Sequence, residues 1–160
     1  MEDARAARVD DVERLTVLAR LLVDELAPMR GGEVWAARDA RPEPLADGVR
    51  ALLQRDDVRV VVGTIDDVPV GFGIVVVETL RDGRRLGRIT ELFVEPEARA
   101  VGVGERMLAE LVRHCDERGC IGIDAAALPG HRATKNFFEG AGFTARLLVM
   151  HHPLDRTERP

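Results

Sequence analysis

Residues 89–112 read ITELFVEPEARAVGVGERMLAELV, and this stretch decides the fold. Ile89 to Val94 is a short, mostly apolar run rich in β-branched residues, which predicts a central strand. Pro96 has no N–H to donate and ends the ladder. Arg99, Gly102 and Gly104 follow with the spacing R-x-x-G-x-G. Val103, Met107, Leu108, Leu111, Val112 and Cys115 then recur at helical spacing. A strand, a glycine-bearing loop and a helix therefore run in series. The first N–H groups of such a helix lack intrahelical partners and, with the helix dipole, form a seat for an anion. Glycines at 102 and 104 would let a pyrophosphate approach the backbone around Val101 and Val103, and Arg99 would add a charged contact. The plain alternative is an ordinary strand-to-helix turn.

The spacing separates two kinds of anion site. A dinucleotide fingerprint needs a third glycine at 107, where this chain has Met107. The Pro96 turn and Arg99 also stand between the strand and the glycines. Arg99 to Gly104 resembles the acyl-CoA-binding motif [QR]-x-x-G-x-[GA] of the GNAT superfamily of N-acetyltransferases. A second segment carries the same resemblance: Ala127-Leu-Pro-Gly-His131, followed by Lys135 to Phe143, KNFFEGAGF. It is similar to the family's late helix and its YExxGF ending, with Phe138 in place of tyrosine. The resemblance covers nearly the whole chain. It implies a GNAT-like α/β fold (an α+β mixed sheet), with a central, mostly antiparallel sheet flanked by helices. It also implies acetyl-CoA as cosubstrate and transfer of its acetyl group to a primary amine of a small molecule or protein.

Working outward, Arg5 to Val9 predicts a first strand. Asp10 begins a helix with Glu13 three residues on, like a capping box. Val12, Leu15, Leu18, Ala19, Leu22 and Leu26 trace its inner face, and Pro28 with Gly31-Gly32 ends it. Met29 to Glu43 reads as a loop. Its Trp35 is read as packing, and the resemblance sets this region beside the acceptor. Leu45 to Arg55 predicts a second helix. Val58 to Ile65, Val68 to Leu80 and the 89–94 strand form an antiparallel meander through turns at Asp66-Asp67 and Asp82-Gly83. Gly119 closes the glycine-loop helix. Cys120 to Ala127 is then a parallel strand, because a helix crossover precedes it. Ala133, Phe137 and Ala141 share one face of the late helix. Phe143 to His152 predicts one last strand where the family usually has two.

The 160 residues fit one domain over 1–153, with a polar tail at 154–160. A net charge of −5 argues against a nucleic-acid or anionic-membrane surface. No run approaches the ~18 apolar residues of a membrane helix. The polar N-terminus does not read as a secretory signal, so a cytoplasmic location is expected. A homodimer is compatible with the reading. Cys115 and Cys120 read as reduced core thiols, and no His or Cys cluster accompanies them to hold a metal. Lys135 is the only lysine; every other side-chain cation is arginine, apart from histidine. Arg81, Arg84, Arg85 and Arg88 gather at a hairpin tip. At ~3.3 Å per residue that tip lies ~30 Å from the glycine loop, so it reads as a solvated edge.

Acetyl transfer needs an anchored donor, a polarised thioester and an uncharged amine. By resemblance, the main chain at Phe93 and Val94 would hold the pantetheine arm and carbonyl. Glu91 interrupts an apolar strand, which suits a general base and equally suits a carboxylate on the solvated face or paired with an arginine. The family's tyrosine acid is replaced by Phe138, and the chain has no tyrosine. His131 or water is left to protonate the thiolate, and Asn136 is a further polar candidate near the cofactor. Two other readings compete: a non-catalytic acyl-CoA-binding module that has lost its acid, and a nucleotide-binding α/β protein.

Overall fold

A computed structural model describes residues 1–156. A five-stranded sheet runs in the order β1-β2-β3-β4-β5. The strands are β1 (Glu2–Ala6), β2 (Val58–Ile65), β3 (Val68–Thr79), β4 (Arg85–Val94) and β5 (Cys120–Ala125). The first three pairings are antiparallel and β4–β5 is parallel. The mixed, mostly antiparallel sheet flanked by helices is the expected one. Asp66 and Asp67 take φ of 48° and 67°, the doubly left-handed pair of a tight hairpin turn.

Helices cover both faces. On one, α1 (Val12–Leu26) and α3 (Leu45–Leu53) bury Leu15, Leu18, Leu22, Val49 and Leu52 against Val60, Val62, Phe72, Ile74 and Phe93. On the other, α4 (Val103–Glu117) buries Met107, Leu108, Leu111 and Cys115 against Val61, Val75 and Ile89. The helix approaches the sheet over glycines. A Cβ on Gly63 would stand 2.4 Å from Val103 Cγ1, and one on Gly87 would stand 2.5 Å from Cys115 Sγ.

Four expectations at the periphery are corrected. The first strand is Glu2–Ala6 rather than 5–9. Asp11 rather than Asp10 stands at the N-cap of α1, but its carboxylate makes no cap bond to that helix: it accepts from Arg8 N at 2.7 Å, closing a 3-10 turn over Val9–Asp11, and from both arms of Arg5 at 2.8 and 2.9 Å. The 29–43 region contains a helix, α2 (Gly32–Arg38), whose Trp35 packs half-buried against the α1–α3 core. The last strand does not form: 143–152 follows α5 (Arg132–Gly140) as irregular chain. The 154–160 tail lies partly outside the described residues.

His114 of α4 is buried. Its Nδ1 accepts from Arg59 Nε at 3.3 Å, and its Nε2 meets no hydrogen-bonding group among the described residues. Burial, aided by the Arg59 cation, holds it below its usual 6.5. Between that lowered value and 6.5 the unfolded chain binds a proton that the folded chain refuses. Stability from this residue is therefore full above about 6.5 and falls with pH below it. A melting-temperature series is expected to fall through this window. His114→Asn, which keeps an acceptor for Arg59, is expected to flatten it; an unchanged slope would refute the assignment.

Candidate functional site

The sheet opens where one ladder stops. β4 pairs with β3 along its whole length, but with β5 only from Arg85 to Ile89. β5 ends at Ala125, opposite Ile89, so the outer edge of β4 is free from Thr90 onward. A bulge sits there. Ile74 faces Glu91 and Val75 faces Ile89, leaving Thr90 as an extra residue, and bulges bend and twist a strand. Beyond it, Glu95 N donates to Val70 O at 2.9 Å. By antiparallel alternation the main-chain groups of Phe93 then also face β3, whereas those of Leu92 and Val94 face the free edge. Of the two positions expected to hold a pantetheine arm, Val94 lies on the edge. Phe93 turns its backbone to β3 and buries its ring under α1. Leu92 is the neighbour that the sequence did not reveal, because the alternation depends on the bulge.

The edge leads into the glycine loop. A 3-10 turn spans Pro96–Ala98, Ala100 has φ of 63°, and Gly102 caps α4 with φ of 101°. That angle requires glycine at 102. The first ladder bond of the helix runs from Arg106 N to Gly102 O at 3.1 Å. The N–H groups of Val103, Gly104 and Glu105 therefore have no helical carbonyl to meet and carry the positive end of the dipole. Val101 is exposed beside them, while the Val103 side chain is buried. Gly104 also has a packing role. Its Cβ would stand 3.2 Å from Phe137 Cε2, so its bareness helps seat α5 against α4.

Arg99 does not extend toward the loop. Its Nε donates to Val94 O at 2.8 Å, its Nη2 meets Glu25 of α1 at 2.8 Å, and its guanidinium lies 5.5 Å from the Phe93 ring centroid. It ties the loop back to β4 and α1. An anion arriving at the loop would accordingly meet backbone N–H groups and not this guanidinium.

Glu91 is buried and paired. Arg41, from the loop between α2 and α3, places Nη2 at 2.8 Å from Oε1 and 3.0 Å from Oε2, and Thr90 Oγ1 donates to Oε2 as well. Of the two readings of Glu91, the arginine-paired carboxylate is the one observed. Arg41 lies fifty residues away and carries no local signal.

The late-helix candidates separate. His131 caps α5, half-buried, with Thr134 Oγ1 2.7 Å from its Nδ1. Asn136 is exposed. Phe138 is a core residue, its ring centroid 5.5 Å from Phe137 and 5.1 Å from Phe143. Thus β4, the loop and the start of α4 bring Leu92, Val94 and residues 101–104 into one continuous line, with Phe137 of α5 against Gly104. Glu91 points to the α1–α3 face instead. Among the described residues no group of three or more His, Cys, Asp and Glu is arranged to hold a metal ion. No helix among them is long and apolar enough to cross a membrane.

A model of the Acetyltransferase (GNAT) family matches residues 20–143. Among solved structures, AAC(6')-Iy in complex with the bisubstrate analogue CoA-S-monomethyl-acetylneamine superposes with a TM-score of 0.76 at 18% identity, over 97% of this chain and 99% of that one. An aminoglycoside acetyltransferase from an uncultured soil metagenomic sample, in complex with sisomicin, gives 0.71 at 17% identity, over 96% and 95%. The ribosomal-protein-alanine N-acetyltransferase of Brucella melitensis biovar Abortus 2308 gives 0.72 at 15% identity, over 97% and 100%. The sequence matches none of the curated proteins.

Proposed function

This chain belongs to the GNAT family of acetyltransferases, and on that premise we propose that it moves an acetyl group from acetyl-CoA to a primary amine. The observation that carries the reading is the run of main-chain groups along Leu92 and Val94 that no strand pairs, continuing into the start of α4, with Val94 O alone taken, by Arg99. An amide-bearing arm would add to the free strand edge, and a pyrophosphate would end on the N–H groups of Val103, Gly104 and Glu105. The two demands of the donor thus fall on consecutive segments, in the order the donor itself presents them.

The chemistry then needs little from side chains. The amine lone pair attacks the thioester carbonyl carbon, water takes the proton that the new C–N nitrogen sheds, the C–S bond breaks, and the thiolate leaves. An N–H of the strand edge stabilises the oxyanion while it exists. Phe138 cannot donate a proton, but a thiolate whose parent thiol has a pKa of ~8.5 departs readily and takes its proton from water. His131 is the group on the α5 side able to relay that proton. Glu91 and Arg41 fix the wall beneath the acceptor. The similar structures include an aminoglycoside enzyme and a ribosomal-protein-alanine enzyme by name. Both names denote amine acceptors, and the net charge of −5 suits a cationic amine.

Acetyl-CoA at ~100 times its Kd is expected to stabilise the fold by ~2.7 kcal/mol, a melting shift of roughly 5–10 °C for a chain of this size. Val101→Glu puts a carboxylate beside the anion seat from an exposed position. It is expected to weaken binding about tenfold or more while sparing the unliganded melting temperature. A shift with a nicotinamide dinucleotide and none with acetyl-CoA would overturn the reading. Tight acetyl-CoA binding without amine-dependent thiol release would favour the non-catalytic module.

A further inference from the structure

The arginines of the β3–β4 hairpin do not all serve the same purpose. Arg84 and Arg88 are neutralised locally, by Asp82 at 2.7 Å and Glu78 at 2.6 Å. Arg85, the first residue of β4, turns to the end of α4 instead, where its Nη1 donates to Arg118 O at 3.0 Å. Arg85 and Arg118 line a cleft of about 180 Å³ together with Asp56, Asp57, Val77 and Thr79. The cleft lies at the start of β4, whereas the glycine loop follows the end of that strand. Asp56 and Asp57 precede β2, and β3 runs between β2 and β4. Acid and base therefore enter the cleft two strand spacings apart, roughly 10 Å.

The charges of the cleft do not cancel one another. Among the described residues, the Arg118 guanidinium and the Asp56 carboxylate have no partner, and Arg85 meets only an uncharged carbonyl. Asp57 is already held by Arg55 at 2.9 and 2.6 Å. A lone anion would gain from the two guanidinium groups but would face Asp56 and the negative end of the α4 dipole. A lone cation would gain from those and face the guanidinium groups. A molecule with a charge of each sign satisfies both walls. Val77, half-buried on the strand between them, offers an apolar floor to the carbons that join the two charges. The cleft is smaller than the ~300 Å³ at which pockets for drug-sized ligands begin, so its occupant is small.

We propose that this cleft binds a short amino acid as its zwitterion, the carboxylate between Arg85 and Arg118, the ammonium at Asp56 and the connecting carbons over Val77. The planar guanidinium fork matches a carboxylate. The bond to Arg118 O spends one of the five N–H donors of Arg85 and fixes its direction, which leaves the others for the ligand. Thr79 adds a hydroxyl at the rim. The site shares no residue with the β4 edge and the glycine loop, and it needs no acetyl-CoA.

Amide shifts in a proton–nitrogen correlation spectrum of the full chain, without acetyl-CoA, test this. The probes are glycine, 4-aminobutyrate and 6-aminohexanoate, which set the two charges at increasing separation, with propionate and propylamine as single-charge halves. One or more of the amino acids is expected to move the amides of Asp57, Val77 and Arg118 saturably at millimolar concentration, and neither half to do so. Arg118→Gln and Asp56→Asn are each expected to weaken that binding about tenfold or more, the size of a lost hydrogen bond between charged groups. Both positions are exposed, and the comparison of whole probes with halves needs neither variant. Arg81→Gln, on the same hairpin but outside the cleft, is expected to change nothing. The proposal is overturned if no amino acid moves these amides, if propionate or propylamine moves them as far, or if the folded Arg118 and Asp56 variants bind as the parent does. Any of these outcomes leaves the acetyl-transfer reading standing, because the donor is absent throughout.

Discussion

Glu91→Gln is expected to unfold about 3 kcal/mol more easily than the parent and to lose about a hundredfold in kcat/KM. The stability loss follows from what stays behind. Arg41 is mostly buried against the carboxylate at 2.8 and 3.0 Å, and removing one member of a buried ion pair strands the other's charge. The rate loss follows from position. Arg41 fastens the loop between α2 and α3 to the strand proposed to carry the donor, and a displacement near 1 Å is enough for a hundredfold. Denaturant unfolding and steady-state kinetics measure the two effects. A partner variant separates anchor from base. If Glu91 anchors, Arg41→Met loses activity as Glu91→Gln does, and the double variant is no worse than the poorer single one. If Glu91 is the base, Arg41→Met keeps its carboxylate and much of the rate, while Glu91→Gln alone is crippled across the pH range.

Gly63→Ala is expected to cost about 1–3 kcal/mol, as overpacking of a filled core does, and to weaken acetyl-CoA binding. The new methyl would stand 2.4 Å from Val103 Cγ1 and 2.8 Å from Met107 Sδ. Met107 can flex, whereas Val103 opens α4 and is buried. Relief of the clash therefore lifts the first turn, whose N–H groups form the proposed anion seat. Val103→Ala in the same chain removes the nearer atom and is expected to restore part of both losses. Unfolding curves and calorimetric titration with acetyl-CoA read the outcome. Unchanged stability and affinity in Gly63→Ala would mean that the helix is not held by this close approach.

Elements whose reason for existing is local were legible in the sequence. β2 was bounded as observed, 58–65, because a β-branched run meets an Asp-Asp turn there. The helical period from Val103 to Cys115 located α4 and its sheet-facing side. Elements and contacts that depend on distant parts of the chain were not legible. Phe143 to His152 has the composition of a strand, but a strand exists only with a partner, and none lies beside it in its own molecule. α2 is short, and Gly31-Gly32 with its flanking arginines masks it. Arg99 matches the motif, yet its destination depends on Glu25, seventy-four residues earlier, and on the Phe93 ring. The roles of Gly102 and Gly104 also diverge for a tertiary reason: one is required by its own φ and the other by Phe137.

The near-exclusive use of arginine gives the molecule a chemical indifference to the donor proposed for it. Acetyl-CoA acylates amines slowly without any enzyme, and a lysine so modified loses its charge and any ion pair it made. Here the described side-chain ion pairs use arginine throughout, except for Lys135, which holds Glu139 at 3.0 Å. A guanidinium stays protonated and offers no lone pair to a thioester. Cys115, the buried thiol, is pushed up to about 12, first by its burial, and so stays protonated and unreactive. Its surface charge is thus placed in the one cationic side chain that the proposed acyl donor would leave alone.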